Sequence, residues 1–310
     1  MKLIFFGSDD FALCHLKRLR EEGFTIAACV TAPDRRRHRG MKLVVSPIKA
    51  FALEHGIPVW QPESLSDGAF IHRLQAVEAD FFVVVAYGRI LSRAILEIPR
   101  VCAVNVHGSL LPRYRGAAPI HWAVIRGEKT TGVTIIRMNE RMDAGDILSC
   151  QSTPILPDDT AETLRQRLMA MGAGLLVSTL RAWSSVRPRP QDEAQVTLAP
   201  KLTRETGRIH WDRPAQEVHN LVRGVLPWPG AYTFYKGKML KILKTRLEGG
   251  DSPSNGRPGE VVGLDKDGFW VSCRDRPLFI QELHLAGGRR MTAKCFLQGY
   301  TLPKGHFFSK

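Results

Sequence analysis

Apolar positions along the chain fall into short unbroken runs separated by spaced ones, and the two kinds alternate. Residues 2–6, 80–85 and 100–106 are nearly continuous apolar stretches of strand length, the pattern of strands covered on both faces in a parallel sheet. Residues 24–30, 57–60, 132–138 and 147–155 read as further strands. Phe11, Leu13, Leu16 and Leu19 recur near helical spacing, so a helix is predicted there, with Ser8, Asp9 or Asp10 as its cap. Helices are likewise expected over 46–55, 64–78, 122–126 and 160–182. Strands alternating with helices predict an α/β domain with a Rossmann-like, mostly parallel sheet. Gly7 is followed by Ser8-Asp9-Asp10-Phe11; without the spaced glycines that admit a pyrophosphate, no nucleotide cofactor is expected.

The pattern then changes. Residues 184–205 have no periodicity and the proline content of a linker. Beyond them a short helix, 214–223, precedes five short alternating runs at 231–235, 238–243, 259–263, 269–273 and 278–285. Turns such as Tyr235-Lys236-Gly237 and Asp265-Lys266-Asp267-Gly268 separate these runs. This predicts a small β-barrel, with the OB fold as its candidate form. The expected organisation is a catalytic domain over 1–183, a linker over 184–205 and an OB-like domain over 206–310.

Charge sharpens the picture more than bulk composition does. The 310 residues carry 44 Lys/Arg against 30 Asp/Glu, a formal net charge of +14, which favours a polyanionic partner because each phosphate neutralised releases a counterion. Half of that excess lies in residues 205–310, with 17 basic and 10 acidic side chains. Residues 33–42 concentrate Arg35, Arg36, Arg37, Arg39 and Lys42 between prolines. Too polar and broken for a helix or strand, they are expected as an exposed loop, either a solvated charge run or an anion contact. Cys14, Cys29, Cys102, Cys150, Cys273 and Cys295 are scattered; they are expected as buried apolar residues of a reducing compartment, with neither disulfides nor a zinc site. The N-terminus meets Gly7 too soon for a signal peptide, and no run reaches membrane-spanning length, so a cytoplasmic location is expected.

Candidate chemistry gathers at strand ends. Asn105 and His107 are two residues apart, so on a strand both side chains leave the same face. Asp143 and Asp146 lie in a glycine-containing loop after the run at 132–138. An amide, an imidazole and a carboxylate together can hold an oxyanion, orient the ring and move a proton, as transfer of an acyl or formyl group requires. The residue types alone leave both aspartates open. No serine or cysteine in these motifs sits where a base would activate it, which argues against a covalent nucleophile.

The motifs Asn105-Val-His107-Gly-Ser109-Leu110-Leu111-Pro112, Arg113-Tyr-Arg-Gly-Ala-Ala-Pro119 and Met142-Asp143-Ala-Gly-Asp146 resemble the folate-dependent formyltransferases. Phe6-Gly-Ser-Asp-Asp-Phe11, Val83-Val-Val-Ala86-Tyr87-Gly88 and Arg223-Gly-Val-Leu-Pro-Trp-Pro-Gly-Ala231 extend the likeness nearly end to end. The resemblance is strongest to the members acting on initiator methionyl-tRNA. It implies 10-formyltetrahydrofolate as co-substrate, no metal, and Asn105, His107 and Asp143 as catalytic residues. It also implies that the Ala86-Tyr87-Gly88 backbone faces the pterin ring, and that Ser109, Leu110, Leu111 and Pro112 wall the folate cleft. The basic loop, with Arg39 at the position of the family's key arginine, and the C-terminal third would meet tRNA in a monomeric enzyme. Rival readings are formyl transfer to a small amine such as glycinamide ribonucleotide or an amino sugar nucleotide, hydrolysis of the formyl-folate, and a nucleic-acid-binding module without activity.

Overall fold

A computed structural model describes residues 1–37, 42–247 and 253–308, with backbone alone for 35–37 and 42–44. In chain order the elements begin β1 (Lys2–Gly7), α1 (Asp10–Glu21), β2 (Thr25–Val30), β3 (Arg35–Arg37), β4 (Lys42–Val44), α2 (Pro47–Glu54), β5 (Val59–Trp60), α3 (Gly68–Ala76) and β6 (Phe81–Val85). They continue with α4 (Arg93–Leu96), β7 (Cys102–His107), α5 (Pro119–Ile125), β8 (Thr130–Arg137), β9 (Ile147–Pro154) and α6 (Ala161–Arg181). The last third holds α7 (Ala215–Gly224), β10 (Ala231–Tyr235), β11 (Lys238–Arg246), β12 (Val261–Asp265), β13 (Gly268–Ser272), β14 (Pro277–Leu285), β15 (Arg290–Thr292) and α8 (Ala293–Gly299).

Two compact units result. The first, Met1–Pro119, Thr131–Thr153 and Arg165–Ala199, is built on a seven-stranded sheet in the order β5-β2-β1-β6-β7-β8-β9. The pairs from β5 to β7 are parallel, and β8 turns antiparallel to β7. The apolar runs land where a doubly covered sheet needs them: all five residues of β6 are buried, as are Leu3 to Phe6 of β1. Ile4, Phe6, Ala28, Val30, Phe82 and Val84 form one core with Trp60, Phe70 and Leu74, and each such large side chain contributes about 1.5–3 kcal/mol on burial. Asp9 caps α1 by accepting from the Ala12 N–H at 3.0 Å. His15 of α1 is fully buried and donates Nδ1–H to the Phe11 carbonyl at 2.7 Å. Burial pushes its pKa down to about 4. A methyl added at Gly172 of α6 would stand 2.8 Å from His15 Nε2, so glycine permits this contact.

The second unit comprises Ile120–Thr130, Pro154–Leu164 and Pro200–Lys310. Its antiparallel sheet runs β10-β11-β14-β13-β12, with β15 paired to β14, over a core that includes Trp211, Val218, Leu240, Phe269, Ile280 and Phe296. The two short segments from the first half of the chain are bonded into this unit. Trp122 Nε1 donates to the Pro200 carbonyl at 2.7 Å, His121 Nδ1 to Gly224 O at 2.8 Å, and Arg223 to Leu156 O and Asp159 O.

Several expectations change. Residues 35–37 and 42–44 form a two-stranded antiparallel ribbon rather than a plain loop, because backbone pairing between them satisfies polar main chain that composition alone marks as irregular. Helix α3 starts at Gly68, later than expected, since Ser64 accepts from Ser66 N–H and Asp67 caps the first turn. Residues 184–205 are not a free tether: Arg189 pairs with Ile147, and Tyr114 N–H donates to Thr197 Oγ1 at 2.9 Å. Cys29, Cys102 and Cys273 are buried, but Cys150 and Cys295 are exposed. Cys150 lies on β9, at the edge of its sheet. No helix among the described residues is long and apolar enough to cross a membrane.

Candidate active site

Strand β7 delivers Asn105 and His107 to one face, and the Asp143 loop arrives beneath them. Asn105 Nδ2 lies 3.5 Å from Asp143 Oδ1, and His107 Nδ1 lies 3.5 Å from Asp143 Oδ2. The same Oδ2 accepts the Gly116 N–H at 2.9 Å. His107 is 5% and Asp143 14% exposed at the side chain, so the pair is shielded yet reachable. On its other side the imidazole donates Nε2–H to the Tyr114 carbonyl at 2.9 Å. A carbonyl can only accept, so Nδ1 is left facing the carboxylate, where a proton can be shared. An amide nitrogen carries two hydrogens; Asn105 directs one toward Asp143.

Of the two aspartates left open by sequence, Asp143 is the one whose carboxylate faces the amide and the imidazole; the backbone carbonyl of Asp146 accepts the Arg137 N–H at 2.9 Å. Asp143 adopts φ +52°, in the left-handed region that most residues avoid. Its loop is over-determined. Gln191 Nε2 donates to Asp143 O and Gly145 O at 2.8 and 2.7 Å, and Asn139 Nδ2 donates to Ala144 O at 3.1 Å. Any side chain at Gly145 would collide with the Arg137 carbonyl. Gln191 is itself fixed by Arg115, a buried residue whose Nε and Nη2 donate to Gln191 Oε1 at 3.0 and 2.8 Å. Arg115 also pairs with Glu193 and holds its carboxyl below the usual range.

The expected folate-facing residues gather at the same strand ends. Val84 of β6 pairs with Asn105 in the ladder, so Ala86, Tyr87 and Gly88 leave the sheet beside His107. Ala86 and Gly88 are exposed with φ of +45° and +78°, bending the main chain outward. Tyr87 turns inward, 96% buried and edge-on to Phe6 at 5.5 Å, and burial raises its phenol pKa. Ser109 is wholly buried and donates to the Arg113 carbonyl at 2.6 Å, so its hydroxyl holds a turn. Leu111 is buried and Leu110 and Pro112 are partly so. Of the basic positions, Arg35, Arg36, Arg37 and Lys42 lie on the ribbon, and Arg39 falls outside the described residues.

Two residues escaped the sequence reading. Thr134, opposite His107 in the ladder, donates to Ser109 O at 2.7 Å and accepts the Leu111 N–H at 3.1 Å; a hydroxyl inside an apolar strand was its available signal. Gln191 sits in aperiodic sequence that offers none. A cleft of about 650 Å3 lies in the second unit, lined by Lys129, His219, Arg223 and Lys244 among others. Of its two arginines, Arg223 is already committed to two carbonyls and to Asn220. Among the described residues no group of three His, Cys, Asp or Glu is placed to hold a metal ion.

Comparison with known proteins gives the family. Residues 1–180 match the family model described as formyl transferase, and residues 201–301 match the formyl transferase C-terminal domain. The methionyl-tRNA formyltransferase of Moorella thermoacetica is 47% identical, covering 98% of each chain. That of Caldanaerobacter subterraneus is 44% identical over 98% of this chain and 99% of its own. Among solved structures, the sugar 3N-formyl transferase WlaRD, determined with dTDP and 5-N-formyl-THF, superposes with TM-score 0.68 at 18% identity, over 93% of this chain and 99% of that one. HypX from Aquifex aeolicus, in complex with tetrahydrofolic acid, gives 0.64 at 17%, over 100% of this chain and 51% of that one. At such identities these two report a shared fold. The chain therefore belongs to the formyl transferase family, on the branch whose curated members are named methionyl-tRNA formyltransferases.

Proposed function

We propose that the protein transfers the formyl group of 10-formyltetrahydrofolate to the free α-amine of initiator methionyl-tRNA. The observation that carries this reading is the meeting of the Asn105 amide, the His107 imidazole and the Asp143 carboxylate at one strand end, in a chain nearly half identical to curated relatives along its whole length. The amine attacks the formyl carbon directly. As charge develops on the formyl oxygen, the second Asn105 N–H donates to it; one preorganised donor of this kind contributes roughly 3 kcal/mol. Asp143 accepts the amine's proton, shares it with His107 Nδ1 and returns it to the folate nitrogen as the carbon–nitrogen bond breaks. Both ring nitrogens of His107 face oxygen acceptors of the protein, so its task is to hold and share that proton. The exposed bend at Ala86–Gly88 offers main-chain N–H and C=O edges, which suit a pterin ring, and Leu111 and Pro112 follow on the adjoining strand end.

In the same reading, residues 1–183 carry the chemistry, 184–205 connect, and 206–310 together with Arg35, Arg36, Arg37, Arg39 and Lys42 contact the tRNA. The enzyme acts as a cytoplasmic monomer, which sedimentation of purified protein checks. Incubation with 10-formyltetrahydrofolate and charged initiator tRNA is expected to give N-formylmethionyl-tRNA, with an acceptor affinity that falls steeply with salt. Equal formylation of free methionine, or of a small amine with no salt dependence, would overturn the substrate assignment.

A further inference from the structure

The basic ribbon β3–β4 starts one residue after Asp34 and ends two residues before Ser46, and both of its roots are tied down. Thr31 and Ser46 share a hydrogen bond between hydroxyls at 2.9 Å, and Ser46 caps α2 by accepting the Lys49 N–H at 3.1 Å. Beside them three side chains close a ring. Lys49 Nζ donates to Asp34 Oδ2 at 2.5 Å and to Gln61 Oε1 at 2.7 Å, while Gln61 Nε2 donates to Asp34 Oδ1 at 2.8 Å. Gln61 also donates to the Ala32 carbonyl at 2.8 Å, reaching the strand exit from the end of β5. Lys49 is 23% and Asp34 15% exposed at the side chain, and Gln61 is half-buried.

Its placement has two physical consequences. The ribbon's exit from the sheet is held by four side-chain bonds from Ser46, Lys49 and Gln61, whereas an unsupported two-stranded ribbon is only marginally stable in water. Both oxygens of Asp34, the acid next to Arg35 in sequence, are committed to Lys49 and Gln61. A free carboxylate there would compete with a phosphate for neighbouring guanidiniums. The Lys49 ammonium and the Gln61 amide hold the Asp34 carboxyl below its ordinary range, so it stays ionised and bonded.

We propose that the Asp34–Lys49–Gln61 ring is a positioning device that aims the basic ribbon at the phosphate backbone of the RNA substrate and keeps the nearest acid away from its arginines. This rests on the reading of the ribbon as an RNA contact. The ring touches no substrate and acts through the ribbon.

The test measures steady-state formylation of initiator methionyl-tRNA by Gln61→Ala, Lys49→Met and Arg39→Ala, and by the Gln61→Ala/Arg39→Ala double variant. Opening the ring is expected to raise KM for the tRNA about five- to tenfold, the range of coupling through a packed network. The kcat at saturating tRNA and the KM for 10-formyltetrahydrofolate are expected to stay within about twofold, since the ring is not at the triad. In the Arg39→Ala background, Gln61→Ala is expected to raise the tRNA KM further only through the remaining ribbon residues Arg35, Arg36, Arg37 and Lys42. If Arg39→Ala leaves the tRNA KM unchanged, the RNA-contact reading of the ribbon fails. If Arg39→Ala raises it but Gln61→Ala and Lys49→Met do not, the ring proposal alone fails. A fall in kcat, or a rise in the KM for 10-formyltetrahydrofolate equal to that for the tRNA, in Gln61→Ala also overturns it, because the ring would then act elsewhere than through the ribbon. Lys49→Ala, which also removes the donor, replaces Lys49→Met should that variant not fold.

Discussion

Asp34 and Asp143, both in the first unit, each have both carboxylate oxygens engaged, and they are engaged in opposite ways. Asp34 meets a permanent cation at 2.5 Å and a neutral amide at 2.8 Å. Asp143 takes one firm backbone bond, 2.9 Å from Gly116, and then faces the Asn105 amide and the His107 imidazole at 3.5 Å each. Short charge-assisted bonds to groups that keep their charge fix a shape. Long contacts to a titratable ring fix less, and they leave a carboxylate able to receive a proton and pass it on. The difference suits Asp34 to the frame and Asp143 to the chemistry proposed for it, although residue type is the same.

The strongest way to break this comparison is Asp143→Asn, which keeps the Gly116 bond and removes the proton acceptor. Single-turnover formylation is expected to slow about 1,000-fold, and a rate near that of the unmodified protein would remove Asp143 from the mechanism. Asn105→Ala is expected next, with kcat falling roughly 100-fold or more as the oxyanion donor is lost. Gln191→Ala releases the backbone carbonyls of Asp143 and Gly145; kcat is expected to drop about tenfold with the KM for both substrates little changed. Loss of binding instead of turnover would show that Gln191 serves a substrate site directly.

The smallest expected effect sharpens the comparison by a histidine whose ring bonds a backbone carbonyl in place of a carboxylate. His15 is buried, and its pKa is lowered to about 4. The unfolded chain, with an ordinary histidine pKa near 6.5, binds the proton first as pH falls. Stability is therefore complete above about pH 6.5 and is lost progressively toward pH 4, by roughly 1–2 kcal/mol between pH 7 and 5. Urea midpoints for the unmodified protein and His15→Phe over that range read the effect; parallel pH curves would contradict it.

Much of the frame was legible before any coordinates. The continuous apolar runs of β1, β6 and β7 are buried on both faces, as their lack of alternation predicts. Asn105 and His107 share a face because strand side chains repeat every two residues. The ribbon was not legible, since three arginines in succession carry no alternation to announce a strand. Nor was the docking of residues 184–199 along the first unit, where prolines suppress periodicity and single hydrogen bonds such as those of Gln191 and Thr197 do the holding.

What sequence determined by itself was period and chemistry: which runs form strands, which of them carry the amide and the imidazole, and where positive charge accumulates. These are local quantities, set by spacing along the chain. Which aspartate reaches the imidazole, and what each carboxylate oxygen bonds to, was decided by contacts between residues tens of positions apart. Arg115, Asp143 and Gln191 meet only after β7, β8 and the segment beyond α6 have packed, so no pattern within any one of those segments could announce the meeting.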